Sequence, residues 1–115
     1  MTLRFSEICI DAHDVDALAA WWSRVLGWPA ERTYDDDMAL RSPAGAGQDW
    51  LFLPVPDDKV VKNRIHFDFT PDDQAAEVER VIALGARRVD IGQGEQSWVV
   101  LADPEGNEFC ILAAE

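Results

Sequence analysis

The sequence predicts an α+β fold built from two copies of a βαβββ unit within a single domain. Three observations support this prediction. An alternating apolar and polar segment followed by an amphipathic helix occurs twice in the chain, the two occurrences have the same internal spacing, and similar turn sequences close both halves. A repeat of this size indicates one supersecondary unit used twice.

The first strand of each unit is recognised by its alternation. Residues 3–11 alternate with Ile8 and Ile10 on one face, and residues 64–69 alternate with Phe67 and Phe69 on one face. These apolar faces are expected beneath a helix. The polar positions on the opposite faces are Glu7, Cys9, His66 and Asp68.

A helix is predicted after each of these strands. Asp14 and Asp73 are suited to cap the two helices, and Gly27 and Gly85 to end them. Asp14 precedes Asp73 by 59 residues, as Glu7 precedes His66, so the two units are in register. The predicted apolar stripes are Val15, Leu18, Trp22, Val25 and Leu26 in the first helix and Ala75, Val78, Val81 and Ile82 in the second.

Short strands follow each helix, and proline-containing turns at residues 42–45 and 103–106 connect the last two strands of each half. The modules are predicted to span about residues 1–56 and 62–115 of the single domain, as curved mixed sheets around a central cup. The predicted strands lie near residues 31–34, 38–41, 50–55, 87–91, 98–102 and 108–112.

Charge and composition exclude several classes of partner. The net charge of −12 argues against nucleic acid and anionic membrane surfaces. No apolar run approaches the roughly 20 residues of a membrane-spanning helix. The two cysteines do not form a disulfide framework, so we expect a cytoplasmic protein. Its acidity either serves solubility alone or attracts a cationic small-molecule ligand.

The chain resembles the vicinal oxygen chelate superfamily, which includes glyoxalase I, extradiol dioxygenases and bleomycin- and fosfomycin-resistance proteins. The resemblance is to its small glyoxalase-like members. In this family two modules pair either within one chain or across a dimer interface, and the expected assembly is a homodimer. The resembling segments are Asp14–Trp28, Lys62–Phe69 and Trp98–Leu112, the last containing ADPEGNEF.

The resemblance also implies positions for metal ligands on the first and last strands of each module. His66 matches directly, but Glu7 stands where the family usually has histidine, and Cys110 stands where it has glutamate. Leu51 and Leu53 offer no ligand atom at the remaining position. The expectation is therefore either no cofactor or a divalent metal held by His66 and Glu7, with Zn²⁺ at Glu7, His66 and Cys110 as one form of such a site.

Other residues are candidates because of their chemistry or position. Glu7 and His66 are the candidate catalytic pair, since a carboxylate beside an imidazole can transfer protons. Tryptophans at strand entries can line a cavity for flat or cationic ligands. The candidate ligand-binding residues are Cys9, Trp28, Trp50, Leu53, Asp68, Trp98 and Cys110.

Three functions remain open at this point. The first is a small-molecule-binding protein of the bleomycin-resistance type, without the usual metal site, whose ligand is aromatic or cationic. The second is a divalent-metal-dependent lyase or dioxygenase that uses His66 and Glu7. The third is a metal-free enzyme in which the same two residues transfer a proton.

Overall fold

The computed structural model describes residues 2–115. The chain divides into two compact units, which meet in sequence at Asp58 and Lys59. The first unit contains β1 (Glu7–Ala12), α1 (Val15–Leu26), β2 (Ala30–Arg32), β3 (Met38–Leu40) and β4 (Asp49–Pro54). The second contains β5 (Phe67–Phe69), α2 (Gln74–Leu84), β6 (Arg87–Arg88), β7 (Val99–Ala102) and β8 (Glu108–Ile111).

Each unit has one four-stranded mixed sheet with the same topology. The strand order is β1-β4-β3-β2 in the first sheet and β5-β8-β7-β6 in the second. The first and last strands of each unit pair in parallel, and the other neighbours pair antiparallel. This arrangement confirms the predicted α+β fold with two βαβββ modules.

Both helices begin and end where the sequence predicts. The side chains of Asp14 and Asp73 accept hydrogen bonds from the third backbone amide beyond them, which satisfies one unpaired N–H in each first turn. Gly27 ends α1 with φ of 72°, in the left-handed region that costs glycine little. Gly85 ends α2 with φ of 126°.

The first strands are shorter than the alternation predicts. β1 begins at Glu7 rather than at residue 3, and β5 begins at Phe67 rather than at residue 64. Phe5 and Ile65 are 67% and 80% exposed, because alternation alone supplies neither a paired neighbour nor a helix to cover them. His66 therefore lies immediately before β5.

The predicted stripe of α2 is wrong at two positions. Val78 and Val81 are buried as expected, but Ala75 and Ile82 are exposed. The buried face is turned toward Gln74, whose side-chain amide donates to the carbonyls of Ser97 and Ile111. These polar contacts fix the rotation of α2 about its own axis. A prediction from apolar periodicity alone does not take them into account.

The core of the first unit is aromatic and lies beneath α1. Trp22 packs edge-on against Trp50 with ring centroids 5.1 Å apart, and Trp50 also contacts Trp28 and Phe52. Ile8 and Ile10 pair in register with Trp50 and Phe52 and are half-buried on the same face. In the second unit the corresponding apolar positions are Phe67, Phe69, Phe109 and Ile111.

The two proline-containing turns differ in detail. The Asp103–Gly106 turn forms as predicted, with the Gly106 amide donating to the Asp103 carbonyl. The earlier turn lies one residue later than predicted, because the Ala46 amide donates to Pro43. Ser42 lies outside that turn, and its amide and hydroxyl donate to the Asp49 carboxylate.

Asp103 is the organising residue of the second turn. Its side chain is buried and accepts hydrogen bonds from the amides of Glu105 and Asn107 and from the Asn107 side chain. The turn connects β7 to β8, so it determines how the residues of β8 enter the sheet. Among residues 2–115 no helix is long and apolar enough to cross a membrane.

We expect Asp103→Ala to lower the free energy of unfolding by about 2–3 kcal/mol, because buried amides would lose a charged acceptor. Urea denaturation monitored by circular dichroism measures this change. Glu79→Ala, at an exposed position of α2, is the matched control and should change stability little. An equal loss in both variants would contradict the structural role given to Asp103.

Candidate functional site

A polar cluster lies on the face of the second sheet opposite α2. Asp68 on β5 is in register with Cys110 on β8, so their side chains point to the same face. His66, two residues before Asp68, joins them, and its Nδ1 lies 3.2 Å from Asp68 Oδ1. We call His66, Asp68 and Cys110 the donor cluster.

The donor cluster has a buried floor and an accessible rim. Cys110 is 4% exposed, whereas the side chains of His66 and Asp68 are 39% and 46% exposed. One potential ligand atom from each residue lies within 4.8 Å of the other two. The three side chains can therefore contact one small group or ion at the same time.

The Cys110 thiol is protonated at neutral pH. Burial raises its pKa to about 11, and the charge and hydrogen bonding of Asp68 contribute to the rise, while Lys62 acts in the opposite direction. A thiol of this kind is a poor nucleophile and a weak hydrogen-bond donor. Without a cation, the floor of the cluster is thus neutral and polarisable.

A mostly buried carboxylate, that of Glu108, holds the segment that leads to His66. Glu108 accepts hydrogen bonds from the Lys59 ammonium at 2.9 Å and from the Asn63 amide at 2.8 Å, and its carbonyl accepts one from the Asn63 side chain. Burial alone would raise the pKa of Glu108, but the Asn63 hydrogen bond and the Lys59 ion pair outweigh it, so the pKa lies below its ordinary value. Since β8 carries both Glu108 and Cys110, this contact ties the His66 segment to the strand that supplies the thiol.

The corresponding face of the first sheet has leucines at two of its positions. Cys9 pairs in register with Leu51, and Asp11 pairs with Leu53, so the two leucines lie where a ligand atom would be needed. Glu7 begins β1 on this face and is exposed. Its predicted pairing with His66 stays a prediction.

Asp49 is a carboxylate on this face that the sequence analysis placed outside the strand. It lies in register with Glu7, but it accepts hydrogen bonds from Arg41 and from the amide and hydroxyl of Ser42. The Ser42 amide in particular holds the pKa of Asp49 below its ordinary value, although burial opposes the effect. Asp49 is therefore committed to the turn and to Arg41.

The candidate tryptophans occupy different environments. Trp50 is 4% exposed beneath α1, and Trp28 packs against it from the end of the helix. Trp98 immediately precedes β7 and is 37% exposed. Trp28 is half-buried, so Trp98 is the most exposed of these three residues.

An acidic groove of about 380 Å³ lies at the start of α1. Arg32 crosses it and donates to Asp16 at 2.6 Å and to the Asp35 carbonyl at 3.2 Å. His13 at its edge lies 3.1 Å from Asp58. The Arg32 guanidinium therefore already pairs with one of the carboxylates that line the groove.

A model of the glyoxalase-like domain matches residues 7–112. The chain therefore belongs to the glyoxalase-like domain family. This match agrees with the resemblance to the vicinal oxygen chelate superfamily inferred from the sequence. Among curated proteins, a sequence search finds no match.

Solved structures share the fold at low sequence identity. The genomically encoded fosfomycin resistance protein FosX from Listeria monocytogenes, complexed with Mn(II) and sulfate, aligns with a TM-score of 0.73 and 18% identity, over 100% of this chain and 93% of that one. A glyoxalase/bleomycin resistance protein/dioxygenase family enzyme from Burkholderia phytofirmans gives 0.70 and 21%, over 92% and 94%. The trypanothione-dependent glyoxalase I of Leishmania major gives 0.68 and 14%, over 97% and 87%.

Sequence reasoning found the members of the donor cluster but missed how they are held. Asp68 was a ligand-binding candidate. Because it lies two residues after His66 in an alternating segment, the sequence could have identified it as the neighbour of the imidazole. Glu108 was not a candidate, and its only sequence signal is a carboxylate two residues before Cys110 on the same strand face. The Lys59 and Asn63 contacts depend on a loop that has no periodic pattern.

Replacing the mostly buried Glu108 carboxylate should destabilise the protein in a pH-dependent way. We expect Glu108→Gln to lose about 1–2 kcal/mol of unfolding free energy at neutral pH, because the Lys59 ammonium loses its charged acceptor. Since the pKa of Glu108 is lowered by folding, this contribution is present above the ordinary value of 4.5 and disappears as the pH falls below it. Denaturation curves between pH 3.5 and 7 test this, and Glu79→Gln, whose position is exposed, should show no such trend. A constant difference across the range would contradict the ionic contribution.

The two cysteines should differ in reactivity. Cys9 is exposed, whereas Cys110 is buried. The pKa of Cys9 is raised by partial desolvation of its thiol and by the charges of Glu7, Asp11 and Asp37. A pKa of about 11 leaves only about one Cys110 thiol in ten thousand ionised at pH 7. We therefore expect iodoacetamide to modify Cys9 first in the folded protein, with Cys9→Ser and Cys110→Ser assigning the sites by mass spectrometry. Faster modification of Cys110 would contradict the buried, protonated thiol.

Proposed function

We propose that this chain is a small-molecule-binding protein of the glyoxalase-like family, and that its ligand contacts the donor cluster. The observation that supports this most directly is the combination of a buried thiol floor with a half-exposed imidazole and carboxylate around it. Binding sites typically combine a mostly apolar surface with a few convergent polar groups. The two modules act as a single domain in this proposal, in a cytoplasmic homodimer.

The chemistry of the cluster favours an aromatic or cationic ligand. Asp68 offers a carboxylate to a cation, His66 offers an imidazole, and Trp98 is an accessible ring in the same unit. Aromatic faces attract cations and stack on flat groups. Glu7, Cys9 and Leu53 remain further candidate contacts from the first module, while Trp50 and Trp28 stabilise the core beneath α1.

The proposal does not require an Mg²⁺- or Mn²⁺-type ion. Such ions prefer several oxygen ligands, and the donor cluster supplies one carboxylate, one imidazole and one thiol. Glu108, two residues before Cys110 on the same strand, is already engaged by the Lys59 ammonium and the Asn63 amide. Ligand binding should therefore be the same with and without added Mn²⁺.

A metal-dependent lyase or dioxygenase is the second candidate function, favoured by the three donor atoms within 4.8 Å. One solved structure of similar fold contains Mn(II). In this alternative His66 and Glu7 would be metal ligands. If the enzyme worked without metal, the carboxylate beside His66 in the structure is that of Asp68, which can orient the imidazole for proton transfer.

Three simple compounds test the proposed ligand class. Benzamidinium is aromatic and cationic, benzamide is aromatic and neutral, and tetramethylammonium is cationic without a ring. We expect benzamidinium to bind best, with amide chemical-shift changes at Asp68, Val100 and Cys110, and with no effect of Mn²⁺. Shifts confined to other residues, or binding only after Mn²⁺ is added, would overturn the proposal.

A charge-removing variant tests the role of Asp68. We expect Asp68→Asn to weaken benzamidinium binding about two- to fivefold, a modest effect because the carboxylate is partly solvated. Asp72→Asn removes an exposed carboxylate four residues away and is the control that should leave affinity unchanged. Equal effects of the two variants would indicate general electrostatic attraction by the acidic chain instead of a defined contact.

A further inference from the structure

We propose that the ligand of the donor cluster carries an acidic group as well as a cationic one, and that Lys62 binds the acidic group. The inference rests on the proposed small-molecule binding and narrows its ligand class from aromatic or cationic compounds to small aromatic zwitterions. It makes Lys62 a residue that determines specificity, in a chain whose net charge is −12.

The segment of residues 59–63 lies on the same face of the second sheet as the donor cluster. Lys59 and Asn63 both donate to the Glu108 carboxylate, at 2.9 Å and 2.8 Å, and the Asn63 side chain donates to the Glu108 carbonyl. Glu108 and Cys110 are two residues apart on β8, so their side chains share a face. Lys62 therefore belongs to a segment that is anchored on the strand of the thiol.

The charge of Lys62 acts on the donor cluster. Burial and the Asp68 carboxylate raise the pKa of the Cys110 thiol, and the Lys62 ammonium opposes them. At moderate ionic strength the field of an exposed charge falls off over about 10 Å. A small molecule that contacts Cys110 is thus close enough to interact with Lys62.

Lys62 is available to a ligand. The residue is exposed, and its ammonium donates to the Asn63 carbonyl at 3.2 Å. An ammonium has three N–H donors, so this hydrogen bond leaves two for an anion. Lys59, by comparison, is mostly buried and held by Glu108. Of the two lysines, Lys62 is therefore the one that can turn toward an acidic group.

The charge of this face differs from that of the chain. Arg87 is in register with Ala102, which is in register with Glu108, so Arg87 also lies on the face of the donor cluster. The charged residues of segment 59–63 and of the strands on this face are three cations and two carboxylates: Lys59, Lys62, Arg87, Asp68 and Glu108. Since Lys59 and Glu108 neutralise each other, two cations and one carboxylate remain. A molecule with both signs of charge matches this set better than a simple cation does.

Amidinobenzoates test the proposal, because they add a carboxylate to the ring of benzamidinium. 3-Amidinobenzoate and 4-amidinobenzoate are titrated into the whole chain by calorimetry, each beside its methyl ester, which keeps the amidinium but has no negative charge. The net charge of −12 alone predicts that the carboxylate weakens binding. We expect the better acid to bind about three- to tenfold more tightly than its ester, because a charge-assisted hydrogen bond to Lys62 outweighs that repulsion.

Variants assign the contact to Lys62. Lys62→Gln, at an exposed position, should remove the advantage of the acid and slightly raise the affinity for the ester, because a charge that repels the amidinium is lost. Arg88→Gln is the matched control. Arg88 is in register with Leu101, so it faces the opposite side of the sheet from Arg87, and its loss should leave the ratio of acid to ester affinity unchanged.

Two outcomes would overturn the inference: both acids bind no more tightly than their esters, or Lys62→Gln and Arg88→Gln lower the acid-to-ester ratio equally. In either case the small-molecule binding proposed above stands if benzamidinium and the esters still shift the amides of Asp68, Val100 and Cys110. If none of these compounds shifts those amides, the proposed binding fails, and the inference fails with it.

Discussion

The parallel pairing of β5 with β8 is the interaction on which the candidate site depends. The two strands are the first and last of their module, so residues more than forty positions apart become neighbours only through this ladder. Register partners in a sheet share a face, which places Asp68 beside Cys110 and the adjacent His66 beside both. A shift of one residue would turn the thiol toward the helix-covered face and separate the cluster.

The surrounding contacts keep that register and define the site. Asp103 orders the turn that leads into β8, and Glu108 ties the start of the same strand to the segment before His66. Both carboxylates are used to position backbone, so the acidic composition of the chain does not translate into free metal ligands at these places. What remains accessible is a rim of imidazole and carboxylate over a buried thiol. This arrangement suits a small cationic or aromatic group.

The first module shows the same fold without the same chemistry. Its equivalent parallel pair, β1 with β4, brings Leu51 and Leu53 beside Cys9 and Asp11. The carboxylate that does occur there, Asp49, is held by Arg41 and Ser42. Among the described residues, the repeated architecture therefore brings three potential ligand atoms together in the second module and no comparable group in the first.

Much of the fold follows from local patterns in the sequence. The caps at Asp14 and Asp73 and the helix ends at Gly27 and Gly85 are local backbone requirements, so they are readable from the chain. The rotation of α2 and the shortened β5 depend on long-range contacts and were predicted incorrectly.

The members of the donor cluster were all candidates from alternation and resemblance. The hydrogen bonds of Glu108 that support the cluster could not be predicted from the sequence. They depend on Lys59 and Asn63, which lie in a loop without a periodic sequence pattern. Tertiary contacts of this kind decide which of several carboxylates remains free to bind a ligand.

A crystal structure of the protein with bound benzamidinium tests the central claim most directly, because it shows which side chains contact the ligand. If His66, Asp68 and Cys110 act as one binding site, the amidinium group should lie within hydrogen-bond distance of the Asp68 carboxylate and in contact with His66 and Cys110. A bound ligand that contacts none of these three residues would contradict the account.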